Sequence, residues 1–284
     1  MTNSFANPQY LVSTDWLQAN LNQPDLRVVD ATYYLPMQNR NARAEYDERH
    51  IPGAVFFDID DIADKNVDLP HMLPAPEKFA SRVRRLGIGD GNRIVVYDGT
   101  GMMSAARVWW MFRIFGAKEV SVLDGGLPKW LSEGRPVDDL LPNPRERHFS
   151  ARLDNTQVRS KAQMLANIGS RREQALDARA SGRFNAAEPE LWPGRRSGHI
   201  PGARNLPYTQ LLKPDQTFHD ADTLKARFTA AGIDLRKPVV TSCGSGITAC
   251  VLALGLSLIG HRDVAVYDGS WAEWGLPGET PVEP

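Results

Sequence analysis

Cys243 stands in the segment Thr241-Ser242-Cys243-Gly244-Ser245-Gly246-Ile247-Thr248. The apolar residues before it suit a strand, and the apolar stretch after it suits a helix. Gly244 and Gly246 flanking a serine allow a tight curl that turns several backbone N–H groups inward. The helix that follows adds the positive end of its dipole. A thiol at the centre of such a curl is in a setting that favours thiolate, the nucleophilic form.

Three chemistries compete for this loop, beside the plain alternative of a buried cysteine in a β–α turn. Gly244-x-Gly246-x-x-Ala249 formally fits the dinucleotide fingerprint, with Asp268 ending the next strand. That fingerprint opens a domain, however, and here a single strand remains before the chain ends. A cysteine phosphatase follows its Cys with five residues and an Arg, but position 249 is Ala, so phosphate would lack its bidentate partner. The third chemistry is a thiolate that takes up an uncharged sulfur atom. Backbone amides stabilise a persulfide anion without a fixed cation, and this loop carries no charge.

The elements that must position Cys243 follow from an internal repeat. His50-Ile51-Pro52-Gly53-Ala54 recurs as His199-Ile200-Pro201-Gly202-Ala203, and Asp30-Ala31 as Asp177-Ala178. The run ending Tyr97-Asp98-Gly99 parallels the run ending Ser242-Cys243-Gly244. Asp124-Gly125-Gly126 with Trp130 parallels Asp268-Gly269-Ser270 with Trp274. Every separation is near half the chain, which means duplicated domains rather than a solenoid. Asp98 therefore stands where Cys243 stands, and only the second copy keeps the chemistry. The Pro-rich, charged run 140–147 reads as a linker.

In the first half 26–31, 54–58, 93–98 and 120–123 read as strands, without strict alternation, as suits a parallel sheet buried on both faces. Segments 77–86 and 103–115 read as helices. The second half repeats the scheme, with helices at 160–168, 222–231 and 248–259. Ser160 with Gln163 is a capping box, and Gly232 and Gly260 are helix stops. The fold class is α/β: two tandem domains, each a mostly parallel sheet flanked by helices, at 9–138 and 156–278 with 139–155 between them. Sites in such sheets lie at the carboxyl ends of the strands, which directs attention to Asp98 and Cys243.

Composition narrows the function. The chain has 284 residues, enough for two domains of roughly 150 residues. With 33 Lys plus Arg and 34 Asp plus Glu, the net charge is 33 − 34 = −1. That balance argues against a nucleic-acid surface and against a polybasic membrane anchor. The longest apolar run, 247–260, falls short of the ~20 residues of a spanning helix. Residues 1–12 lack a basic start followed by an apolar stretch, so no secretory signal is expected. Two cysteines, Cys243 and Cys250, make no disulfide scaffold, and a reducing, cytoplasmic setting is expected. Nothing indicates a cofactor: there is no phosphate loop for ATP, no ligand set has metal-like spacing, and His219-Asp220-Ala221-Asp222 reads as a helix start. Cys250 reads as a small core residue. His50 and His199 read as turn-fixing hydrogen bonders, because chemistry confined to one half would not require both. Trp109, Trp110, Trp271 and Trp274 read as core and as a wall near the loop.

The chain resembles the two-domain rhodanese-type sulfurtransferases, and within them the 3-mercaptopyruvate type. Tyr46-x-x-x-His50-Ile51-Pro52-Gly53-Ala54 resembles the family's N-terminal signature, and Tyr267-Asp268-Gly269-Ser270-Trp271-Ala272-Glu273-Trp274 its C-terminal one. Cys243-Gly244-Ser245-Gly246-Ile247-Thr248 resembles the mercaptopyruvate loop, with Ile for Val. Thiosulfate-specific relatives carry two basic residues where this chain has Gly244 and Ser245. The resemblance implies that Cys243 takes sulfur from 3-mercaptopyruvate, releases pyruvate and passes the sulfur to cyanide or to a thiol such as thioredoxin or a small thiol. It implies that backbone amides of Gly244, Ser245, Gly246, Ile247 and Thr248 hold the persulfide. It further implies Ser245, His71 and Asp60 as a proton relay and Arg183 as a clamp on the substrate carboxylate. Trp192 occupies the place of the family's second substrate arginine, so Arg195 or Arg196 is expected to fill in. Arg179 is expected to tie the strand end to neighbouring carboxylates. Thiosulfate sulfurtransfer, and a sulfur carrier or binding scaffold without turnover, remain the alternatives.

Overall fold

The computed structural model describes residues 4–284, so the first three residues of the segment read for a secretory signal lie outside the described residues. Each half folds into a five-stranded sheet in which every pairing is parallel. The first sheet uses β1 (Leu11–Val12), β2 (Leu26–Asp30), β3 (Val55–Phe56), β4 (Arg93–Tyr97) and β5 (Val120–Leu123), in the order β1-β5-β4-β2-β3. The second uses β6 (Val158–Arg159), β7 (Gln174–Asp177), β8 (Arg204–Asn205), β9 (Val239–Ser242) and β10 (Val264–Tyr267), in the order β6-β10-β9-β7-β8. The two orders are the same once the second is renumbered, as the sequence repeat requires.

The central strands β4 and β9 are buried on both faces, which is why they carry consecutive apolar residues, Ile94-Val95-Val96-Tyr97 and Val239-Val240, rather than an alternating pattern. The expected helices form as Pro76–Arg85, Ser104–Ile114, Lys161–Ser170, Ala221–Ala230 and Ala249–Leu258. The Ser160–Gln163 capping box is present, and Gly232 and Gly260 follow their helices at φ +83° and +87°. Asp220 caps the helix it precedes by accepting from Thr223 N at 2.9 Å. The sequence reading missed the edge strands β1 and β6, which at two residues each are too short to show a period. It also missed the helices Thr14–Asn20, Ala42–Glu48 and Gly126–Ser132.

Residues 139–154 contain no helix or strand but run against the first half. Phe149 is buried in the core, and the amides of Arg152 and Asp154 donate to the carbonyls of Phe115 and Ile114. His50 and His199 act alike: each stacks on an aromatic ring, Tyr46 and Phe184, and places Nδ1 on that residue's carbonyl oxygen.

The two halves share one core. Helix Ala249–Leu258, apolar on all sides, packs against Ser104–Ile114 of the first half. That contact brings the carboxyl ends of β4 and β9 to a common boundary.

Candidate active site

Cys243 follows β9 and is 2% exposed. The Gly246 N–H donates to its Sγ at 3.1 Å. Gly246 has φ +81°, and a Cβ there would come within 2.6 Å of the Asp268 carbonyl oxygen, so glycine alone fits the curl. The outside of the curl is fixed by the turn after β10. Ser270 Oγ accepts from Cys243 N at 3.1 Å while donating to Tyr267 O at 2.8 Å. Trp271 N donates to Cys243 O and Ala272 N to Gly244 O, at 2.9 and 2.7 Å. Ser245 and Ile247 are buried in the curl, and Thr248 is the N-cap of the helix that leaves it.

The first half supplies His71 and Asp60. Asp60 lies on the short helix Ile59–Ile62, which Asp58 caps by accepting from Asp60 N and Asp61 N. His71 Nδ1 is 2.9 Å from Asp60 Oδ1. The hydrogen bond from His71 holds the Asp60 carboxyl below its ordinary range, against the opposing effect of burial. The imidazole is flanked edge-on by Tyr33 and Trp192, with centroids 4.7 and 6.0 Å away. Its Nε2 is buried without a protein partner. His71 has φ +60°, an unfavourable backbone for a residue with a Cβ. Among the described residues no hydrogen bond joins Ser245 to His71, so the expected relay is connected from Asp60 to His71 and open from there to Ser245.

The arginines divide by task. Arg183 Nη2 lies 3.0 Å from where a Gly244 Cβ would be, and Trp192 Nε1 lies 3.5 Å from the same point. Arg183, Trp192 and the active curl therefore line one space. Arg183 Nη2 is 2.9 Å from Glu190 Oε2, and Glu190 Oε1 pairs with Arg179. Arg179 is buried and also pairs with Asp177 at 2.9 Å, the strand-end tie expected of it. Arg195 donates to Ala272 O and Pro193 O. Arg196 donates to Trp274 O and Thr280 Oγ1, so its guanidinium serves the C-terminal helix.

At the matching place in the first half, the Asp98 carboxylate accepts from the amides of Thr100, Gly101, Met103 and Ala105, each at 2.8 Å. Gly101 N on Asp98 and Gly246 N on Cys243 are the same repeat position. The fold of this loop thus turns backbone amides inward at the same position in both halves, four of them onto Asp98 and Gly246 N onto Cys243 Sγ.

Three residues escaped the sequence reading. Glu190 neutralises two arginines. Ser270 anchors the Cys243 amide. Arg107, from the first half, is fully buried with Nη2 2.7 Å from Asp268 Oδ1, while donating to His71 O at 2.6 Å and to Gly246 O at 3.2 Å. The available signal for Arg107 was a cation between Ala106 and Val108, early in a helix whose other cation, Arg113, lies in the last turn.

The sequence matches the Rhodanese-like domain over residues 13–133 and again over 160–276. It is 45% identical to the 3-mercaptopyruvate sulfurtransferase of Homo sapiens over 278 residues, covering 95% of this chain and 94% of that protein. It is also 45% identical to the thiosulfate sulfurtransferase of Cricetulus griseus over 281 residues, covering 96% and 94%. Among solved structures, that of SseA from Escherichia coli, a 3-mercaptopyruvate sulfotransferase, superimposes with a TM-score of 0.85 at 40% identity, covering 92% of this chain and 98% of that one.

Proposed function

The chain belongs to the rhodanese family, and on that premise we propose that Cys243 carries sulfur from 3-mercaptopyruvate to a thiol or cyanide acceptor. The activity is that of a 3-mercaptopyruvate sulfurtransferase. The Cys243 thiolate attacks the substrate sulfur, and the sulfur–carbon bond breaks. The electron pair goes to carbon as the pyruvate enolate, which takes a proton and leaves as pyruvate. The acceptor then attacks the outer sulfur and regenerates the thiolate. Two half-reactions on one nucleophile give ping-pong kinetics.

The observation that carries this reading is the Cys243 curl with Gly246 N on Sγ, repeated around Asp98. Four amides on a carboxylate support amides as the seat of a persulfide anion, with Ser245, Gly246 and Thr248 at the positions of Thr100, Gly101 and Met103. The unpartnered His71 Nε2 supports that atom as the carrier of the enolate's proton, with Asp60 fixing the ring. Arg183 beside the curl supports it as the carboxylate clamp. Arg195 and Arg196 are each held by two bonds to neighbouring groups, and each keeps a terminal nitrogen for a second contact: Nη2 in Arg195 and Nη1 in Arg196. The absence of a cation in the 244–248 curl favours mercaptopyruvate over thiosulfate, whose leaving sulfite carries more charge. The acceptor is a thiol of the thioredoxin or small-molecule kind in a reducing, cytoplasmic setting, where Cys243 stays free for reaction.

The deciding experiment is the intact and peptide mass of the protein after mixing with each donor. One added sulfur on Cys243 from mercaptopyruvate, with turnover when thiol is supplied, is expected. Sulfur gained only from thiosulfate would transfer the assignment to that donor, and loading without release would make the protein a carrier.

A further inference from the structure

Among the described residues, Arg107 is the one fully buried cation on the helices Ser104–Ile114 and Ala249–Leu258, and its contacts are specific. The guanidinium pairs with Asp268, donates to the carbonyl of His71 and donates to the carbonyl of Gly246. Trp110 lies beneath it, 4.8 Å from ring centre to Cζ. A buried ion pair is weak evidence for stability, because an apolar pair of the same volume often serves as well. The targets explain the cation better. One is the backbone of the histidine whose ring meets Asp60. The other is the peptide carbonyl of the residue whose N–H meets Cys243 Sγ.

Each contact has a geometric consequence. His71 holds φ +60°, and the bond to its carbonyl fixes the peptide that follows in that unfavourable conformation. Leu73, two residues on, donates to Asp268 Oδ2 at 2.8 Å, so the same ion pair grips the loop at two points. At Gly246, the peptide plane is trans, so a carbonyl turned toward Arg107 turns the Ile247 N–H the opposite way. A Cβ at Gly246 would lie 3.0 Å from Arg107 Nη1, which makes the cation part of the reason for glycine there.

We propose that Arg107 is the positioning residue of the site: a cation from the half without a nucleophile that sets His71 and the Gly246 peptide relative to Cys243 across the domain boundary. The inference deepens the sulfurtransfer reading and rests on it for the role of His71. It gives the half lacking a nucleophile a second contribution to the site, beside His71 and Asp60.

The test compares wild type with Arg107→Lys and Arg107→Met. Lysine keeps the charge opposite Asp268 but cannot reach two carbonyls with a planar fork. Three readouts are taken on protein shown to be folded: kcat and KM for mercaptopyruvate, the pH profile of kcat/KM, and the rate of Cys243 alkylation by iodoacetamide against pH. Misplacement of reacting groups predicts kcat lower by about tenfold to a hundredfold in Arg107→Lys, with KM little changed. It also predicts altered pH profiles for both turnover and alkylation. A folded lysine variant with wild-type kcat and wild-type pH profiles overturns the proposal. So does a rise in KM at constant kcat, which would make Arg107 a substrate-binding group. If Arg107→Met fails to fold, the lysine variant still decides. Alkylation needs no sulfur donor, so a wild-type protein that gained no sulfur would sink the sulfurtransfer reading without touching the effect of Arg107 on the loop.

Discussion

His71 and Gln216 occupy the same place in the two halves, each with a left-handed backbone, φ +60° and +65°. Two residues after each, a main-chain N–H crosses the domain boundary to an aspartate. Leu73 N reaches Asp268 Oδ2 at 2.8 Å, and Phe218 N reaches Asp124 Oδ1 at 2.9 Å. Gln216 stands against Gly101 of the Asp98 loop, as the His71 segment stands against the Cys243 loop. The domains thus exchange equivalent loops, and one of the two crossings brings the His71 segment, through Arg107, to the loop that holds Cys243. Burial pushes the carboxyl of Asp124 up to about 6, against the lowering effect of the hydrogen bond from Phe218 N and of Lys213.

Gln216 shows that glutamine adopts the His71 backbone in this setting. His71→Gln is therefore expected to fold with a melting temperature near that of wild type. Loss of a general acid should lower kcat for mercaptopyruvate by about a hundredfold or more and flatten the pH–rate profile. Unchanged turnover in the glutamine variant would remove His71 from the chemistry and leave proton delivery to Ser245 or water.

The two thiols are separable. Cys243→Ser should abolish sulfur transfer, because a hydroxyl forms no persulfide. Cys250 is fully buried, donates its S–H to Gly246 O at 3.3 Å, and burial raises its pKa well above the ordinary thiol value. Cys250→Ser should keep most of the activity, with thermal stability lowered at most modestly. A folded Cys250→Ser protein without turnover would require a two-thiol mechanism.

Arg183→Ala is expected to raise KM for mercaptopyruvate and weaken inhibition by pyruvate. A charge-assisted pair contributes about 1.5–3 kcal/mol, roughly tenfold to a hundredfold in binding. Glu190 would then retain Arg179 as its partner, so the fold should tolerate the change. Steady-state kinetics with both donors check this. An unchanged KM would move the carboxylate clamp to Arg195 or Arg196.

How far the sequence carried these conclusions depends on the range of each interaction. The Cys243 curl is local: its glycines, its thiol and its helix lie within one short stretch, so its conformation was readable. The repeat then placed Asp98 opposite Cys243 and implied matching sheets. The meeting of Arg107 with His71 and Gly246 was not readable, because it depends on the docking of two domains whose relative orientation no local pattern encodes. Glu190 was missed for a related reason. Its role exists only once Arg179 and Arg183, on a strand end and a short helix, converge on one carboxylate.

Asp30 is a buried carboxylate without the arginine that its counterpart in the second half has. In the second half Asp177 pairs with Arg179, and in the first half Thr32 stands where that arginine would be, next to Asp30. Asp30 is 1% exposed, and burial raises its carboxyl to about 6, with hydrogen bonds from Thr32 and Tyr97 only partly offsetting the effect. An unfolded aspartate titrates at about 3.9. Between about pH 4 and 6 the folded protein therefore holds a proton that the unfolded chain has released, so stability falls as pH rises through that window. Above it the full penalty remains, of order 1–3 kcal/mol. Asp30→Asn removes the charge and keeps an oxygen to accept from Thr32 N, which now lies 2.8 Å from Oδ1. The variant should be more stable than wild type at pH 8 by roughly 1–3 kcal/mol and little different at pH 4. Urea unfolding of both proteins at the two pH values measures this. Titrating groups remote from Asp30 act equally on both chains and cancel in the difference, whereas Asp98, whose charge also raises the Asp30 carboxyl, contributes through Asp30 itself. A stability difference that does not change with pH would mean that Asp30 is not protonated in that window and that its charge is balanced by a contact other than Thr32 and Tyr97.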